Sequence, residues 1–259
     1  MMLSIIKIPK IIKFIKIPLL FLIYIGIWQL LSMIVGSSLL LPSPLATFRR
    51  LWELIKEIKT WKDVGSTFLR LILGYGIGAI IGINLAIITA KCKIFYELLS
   101  PIRIVIQSTP VLSFVLILLV SMVSNMVPVA VSAIMVAPML WATTEQSILS
   151  LDSKLLEMGK LYLTPLKRLR YVVLPQMIPQ ILASAVTALG FAWKSVITAE
   201  VLALPRFAIG NRMHISKVYL ETTDMFAWTI LIIILSLSME LGLKKLVNRR
   251  KERGTNDQN

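Results

Sequence analysis

Cysteine and histidine are almost missing from this chain: Cys92 and His214 are the single copies among 259 residues. One cysteine excludes an intrachain disulfide, and one cysteine with one histidine supplies no metal-ligand cluster. Acidic side chains are also scarce, 13 against 28 lysines and arginines. No G-x-x-x-x-G-K-[ST] pattern occurs, so no phosphate-cradling loop is present. The sequence therefore carries no metal site, no cofactor site and no catalytic apparatus. Any work against a gradient would draw its energy from another protein.

What is abundant is apolar surface. Hydrophobic residues make up 57% of the chain and charged ones 16%, against roughly 45–50% and 25% in soluble domains. One water-soluble core cannot hide that much, so a lipid bilayer must act as solvent. The formal charge of +15 has two readings, nucleic-acid binding or positive-inside topology. The basic residues flank apolar runs instead of forming one patch, which excludes nucleic acid and selects topology.

A span needs about 20 mainly apolar residues. Residues 1–17 read as a basic cytoplasmic leader, with Lys7, Lys10, Lys13 and Lys16 among isoleucines. The apolar run behind them is too long for a signal-peptide core and shows no small-residue cleavage site, so it is read as an uncleaved first span. Six spans are expected, at about Pro18–Val35, Phe68–Ala90, Phe95–Val123, Val127–Ile148, Ile178–Leu204 and Phe226–Val247. They form one all-α membrane domain over residues 18–247, followed by a polar cytoplasmic tail over 248–259. The leader, Lys91 and Lys93, the cluster from Lys154 to Arg170, and the cluster from Lys244 to Arg253 all fall on one side. By the positive-inside rule that side, with both termini, is cytoplasmic.

Within the spans, Gly74, Gly78 and Gly82 recur every four residues, a face where another helix can approach closely. Pro101, Pro110, Pro128 and Pro138 interrupt the third and fourth spans, tolerable where the freed backbone lines a cavity or is buried in protein. Gln107, Ser108 and Thr109 before Pro110 either line a solute pathway or satisfy those freed backbone groups. Charge inside a span costs several kcal/mol in lipid and usually faces a cavity or a partner. Arg70, Lys194 and Glu200 are such charges. Six residues turn a helix by about 600°, so Lys194 and Glu200 do not pair with each other. Lys194 either faces a solute cavity or is neutralised by an acid on another helix.

The connector between spans four and five, about 150–176, predicts two short amphipathic helices. Asp152 is an N-cap candidate, and Leu155, Met158 and Tyr162 fall on one stripe. Thr164-Pro165 opens a second helix, expected to end ahead of Leu174-Pro175. Lipid anchoring and docking of a soluble partner both fit this pattern. Glu157 could also make a helical pair with Lys160.

The stretch L-L-E-M-G-K-L-Y-L-T-P-L-K-R-L-R-Y-V-V-L-P resembles the "EAA loop" of ABC-importer membrane subunits. Anchored on Leu174-Pro175, Val172 takes the isoleucine position of that loop. Leu156, Glu157 and Met158 stand at E-A-A, so the glutamate is displaced by one residue. Tyr162 stands at the glycine, with Gly159 three residues earlier. L-L-P-S-P from Leu40, S-T-F-L-R-L-I-L-G-Y from Ser66, S-P-I-R from Ser100 and L-G-F-A-W-K-S-V-I-T-A-E-V from Leu189 resemble the sulfonate/nitrate/taurine branch of that family. The resemblance implies a type I-like importer permease in a bacterial inner membrane, working as a homodimer. It implies coupling helices (Glu157, Met158, Gly159, Tyr162, Leu166, Pro175) that dock on a separate ATPase subunit, and a solute-binding protein outside. It implies a sulfonate, nitrate, taurine or similar solute, or a thiamine-precursor pyrimidine. An ion-coupled secondary transporter, which would call for inverted repeats and a relay of acids, and a non-transporting membrane scaffold that recruits a soluble partner through the same loop are the other expectations.

Overall fold

The computed structural model describes the backbone of residues 10–256 and the side chains of residues 19–245. Lys7 in the leader and residues 257–259 of the polar tail lie outside that range. Every described element is helical. The chain forms two units, one of residues up to Glu57 with Ile215–Leu231, the other of Ile58–His214 with the chain from Ile232 onward.

In the first unit, α1 (Lys10–Val35) ends at Gly36, whose φ of 64° closes the helix in the left-handed region. Ser43 caps α2 (Pro44–Lys56) by accepting the Ala46 N–H, with Pro44 in the first turn, where its missing N–H costs nothing. Trp28 stacks on Phe226 at 5.9 Å and donates its indole N–H to the Pro42 carbonyl at 3.1 Å. Arg50 on α2 makes a two-pronged pair with Asp224. Those hydrogen bonds hold the Arg50 guanidinium above its ordinary pKa, so it is charged at any accessible pH.

The second unit is built on three helices, α3 (Ile58–Lys91), α6 (Val127–Leu149) and α9 (Leu174–Ala203), with α6 packed against both others. An 18-residue window of α6 is 72% buried, against 28% in α3 and 17% in the helix that contains α9. A helix that is apolar all round belongs in the centre, and α6 is that helix. It meets α3 along Gly74, Gly78 and Gly82. A Cβ at these positions would stand 2.5 Å from the Val129 carbonyl oxygen, 2.7 Å from that of Ala133 and 2.3 Å from that of Ala137. Val115, Val127, Val131, Met135, Ala199 and Ala203 form one buried apolar cluster.

Among the described residues, four helices are long and apolar enough to cross a membrane, and five if one bent pair counts as a span. That bent pair covers the expected third span, interrupted at Pro110. α4 (Lys93–Ser108) and α5 (Val111–Ser121) meet at 101°. Pro110 has no N–H to continue the ladder and its ring pushes Thr109 out of helical geometry, to φ −80°, ψ 130°. The expected first span appears as a shorter apolar helix, Leu19–Val35, within α1.

The connector also differs from expectation in its second half. α7 (Ser153–Tyr162) and α8 (Pro165–Arg168) form, but α8 does not stop before Leu174-Pro175. It runs through a π-helical turn, Leu169–Val173, straight into α9. Pro175 cannot donate to the carbonyl four residues back, and the wider turn absorbs the mismatch: the Leu174 N–H reaches Leu169, five residues back.

Candidate functional site

One face of α9 has no partner among the described residues. Gln180, Ala183, Thr187, Phe191, Lys194 and Thr198 are all exposed, at spacings of three and four residues that align them along one side of the helix. Trp193, Val196, Ala199 and Glu200, on other faces, are buried. Thr187 and Thr198 satisfy their hydroxyls on the helix itself, but the Gln180 amide and the Lys194 ammonium are costly against lipid, so this side faces protein or water.

Next to it lies a groove of about 510 Å³ lined by Gln107 of α4, Met139, Ala142 and Thr143 of α6, and Gln180, Ala183, Ser184 and Thr187 of α9. Its polar groups are amides and hydroxyls, with no charged side chain. Thr143 donates to Ser184 at 2.9 Å, and the Gln107 amide reaches the Pro138 carbonyl at 3.4 Å.

The sequence-predicted polar residues separate here. Gln107 joins the groove, whereas Ser108 and Thr109 turn back on α4 and donate to the Ile104 and Val105 carbonyls, both at 2.7 Å. Lys194 lies on the exposed α9 face about two turns beyond Thr187, with no ion-pair partner among the described residues. Glu200 is not on that face. It is 0% exposed and Arg70, the other charge flagged by the sequence, is 9% exposed. Arg70 donates to Glu200 at 2.8 Å, Thr67 donates at 3.0 Å, and the Gly210 N–H at 3.2 Å. Of the cavity or partner that the sequence expects for the possible pathway residue Glu200, the structure shows a partner: the carboxylate is saturated by α3 and by the start of α10 (Ile209–Val218). The partner Arg70 is 130 positions away, out of reach of any spacing argument.

A second buried pair was missed by sequence reasoning. Glu145 on α6 receives hydrogen bonds from Thr89 and Arg103, and the Trp141 indole donates to Thr89 at 2.9 Å. The Arg103 guanidinium lies 5.0 Å from the centre of the Trp141 ring. Glu145 sits inside an expected span, so the rule that flagged Glu200 would have found it.

In the connector, Asp152 caps α7 by accepting the Lys154 and Leu155 N–H groups. The side chain of Gln176 accepts the Asp152 N–H at 3.0 Å and ties the loop's beginning to its end. Gly159 is buried, and a Cβ there would stand 3.1 Å from Arg168 and 3.3 Å from Val172, so α7 folds closely onto α8 and the π turn. Leu161, Tyr162 and Leu166 are 79%, 80% and 76% exposed, and Glu157 and Met158 are exposed beside them. Glu157 makes no ion pair with Lys160 among the described residues.

Residues 74–252 match the family described as binding-protein-dependent transport system inner membrane component. A protein of Brucella melitensis biotype 1, named a probable ABC transporter permease, is 25% identical over 226 residues, 85% of this chain and 89% of its own length. The taurine transport system permease protein of Escherichia coli K12 is 22% identical over 239 residues, 86% of this chain and 83% of that protein. The fold is similar to the crystal structure of an amino acid ABC transporter with histidines, with TM-score 0.59, 22% identity, and coverage of 75% of this chain and 94% of that one. The apolar spanning helices, the folded connector and the match over most of the length make one case: this chain belongs to the inner membrane components of binding-protein-dependent transport systems, as a multi-pass, non-catalytic permease subunit of an ABC importer.

Proposed function

We propose that this permease subunit carries a small anion of the sulfonate type, and that two copies form a homodimer with the polar faces of α9 lining a shared pathway. The observation that carries this reading is the exposed row from Gln180 to Thr198, with Lys194 as its single charge. Taurine, for which one similar permease is named, bears a sulfonate. The groove beside Gln107 and Thr143 offers neutral hydrogen-bond donors, which suit passage because they hold an anion weakly. One feature favours an uncharged pyrimidine precursor instead, namely that the groove itself has no fixed charge. Lys194→Met tests the sulfonate reading. In proteoliposomes containing the ATPase subunit and a taurine-loaded binding protein, taurine uptake per ATP hydrolysed should drop by about tenfold, equivalent to about 1.4 kcal/mol. Unchanged uptake would sink the solute-contact role of Lys194.

The connector is the proposed dock for the ATPase subunit on the cytoplasmic side, where both termini would also lie. Leu161, Tyr162 and Leu166, with Leu155, Met158 and Tyr171, leave large apolar groups exposed among the loop's charged residues, the composition of a surface that is covered when assembled. ATP-driven closure of two ATPase subunits would move α7, and the continuous helix from Pro165 to Ala203 would carry that movement into the pathway face. Leu166→Glu should leave the free permease folded, since the side chain is already in solvent, yet abolish co-purification of the ATPase. Retained co-purification with full ATP-dependent uptake would overturn the docking role.

A further inference from the structure

At the end of α9 opposite the connector, the chain makes a turn from Leu204 to Ala208. Leu204 and Phe207 have φ of 50° and 55°, a region that bulky residues rarely enter. Such geometry persists only where the surroundings over-determine it, and it clusters at sites of recognition. The surroundings here do so. Arg70 donates to the carbonyls of Arg206 and Phe207, each at 3.0 Å, while also holding Glu200 and the Asn125 side chain. Asn211 donates to the Pro205 carbonyl at 3.1 Å, and the Ile209 N–H donates to Thr67 at 3.1 Å.

This rigid turn exposes Leu204, Arg206 and Phe207, with the Arg206 guanidinium 5.1 Å from the Phe207 ring centre. Arg49, Arg50 and Arg212 each hold a carboxylate. Arg206 holds none among the described residues. We infer that the Leu204–Phe207 turn is a preorganised docking tip for an acidic patch on the solute-binding protein. Arginine and aromatic side chains on a rigid support are the usual anchors of protein interfaces, because little conformational freedom is lost on contact. The partner follows from position: the connector and the tip lie at opposite ends of one continuous spanning helix, Pro165–Ala203. The inference thus rests on the proposal that the connector meets the ATPase.

The test uses the complete importer in nanodiscs, titrated with the solute-loaded binding protein of the same system, reading the concentration that gives half-maximal ATPase stimulation. Arg206→Glu should raise that concentration about tenfold or more, and Phe207→Ala several-fold, as expected for anchor residues. A lysine introduced for an acidic residue on the binding protein should restore the Arg206→Glu importer. Co-purification of the ATPase subunit verifies that each variant is folded. A wild-type importer that responds, with Arg206→Glu within twofold of it, overturns the docking tip and leaves the importer reading standing. A wild-type importer that does not respond at all overturns both.

Discussion

Glu200→Ala should destabilise the permease by about 3–5 kcal/mol, the usual cost of removing one partner from a buried ion pair. The carboxylate is fully buried and accepts from Arg70, Thr67 and Gly210, so alanine strands three donors at once. The stranded guanidinium is the larger problem. It keeps the Asn125 amide and two backbone carbonyls, but it cannot shed its charge, whereas a carboxylate left behind can take a proton. Arg70→Met should therefore cost less than Glu200→Ala. The double variant should cost clearly less than the two added together, because the residues share one interaction. Thermal and denaturant unfolding in detergent would measure the cycle. Single-variant costs below about 1 kcal/mol, or additive costs, would show that the pair does not hold α3 to α9. Arg70→Met has a second consequence: it frees the carbonyls of Arg206 and Phe207, and with them the turn that presents those side chains.

That pair also marks the limit of what could be read in advance. Composition and charge placement identify a multi-spanning helical membrane protein, because those properties are local and additive along the chain. The first connector helix is legible for the same reason, with Asp152 as its cap and Leu155, Met158 and Tyr162 on one stripe. Pro110 was visible too, but the apolar run across it reads as one span of suitable length. Periodicity does not register the 101° bend that the missing N–H imposes. The join of α8 to α9 was hidden by Leu174-Pro175, where proline ordinarily ends a helix and a π turn instead carries it onward. Arg70–Glu200 and Arg103–Glu145 are pairings between helices, and nothing in the spacing of either residue names its partner. The polar face of α9 lies between these cases. Lys194 is conspicuous in the sequence, but only the burial of the rest of the helix shows that Gln180, Thr187 and Thr198 share its side.

Gly82→Ala should destabilise the fold by about 1–3 kcal/mol, in the range of overpacking a filled interior. Gly76→Ala, on the same helix, should be neutral or stabilising by up to about 1 kcal/mol, from helix propensity alone. The two glycines differ only in what faces them. A Cβ at Gly82 would lie 2.3 Å from the Ala137 oxygen and 3.1 Å from its carbonyl carbon, while one at Gly76 would meet nothing within 4 Å. The obstacle at Gly82 is backbone, so no side chain can rotate aside, and relief needs α3 and α6 to part by about 1 Å. α6 is also packed against α9, so that movement would open the second contact as well. A bulkier Gly82→Val should prevent accumulation of folded protein in the membrane altogether. Unfolding of Gly82→Ala and Gly76→Ala side by side decides the matter: equal stability would mean that the four-residue glycine row is not a packing seam. The row Gly74, Gly78, Gly82 passes over Gly76, and this difference in spacing is the one clue the sequence offers to opposite outcomes for the same substitution.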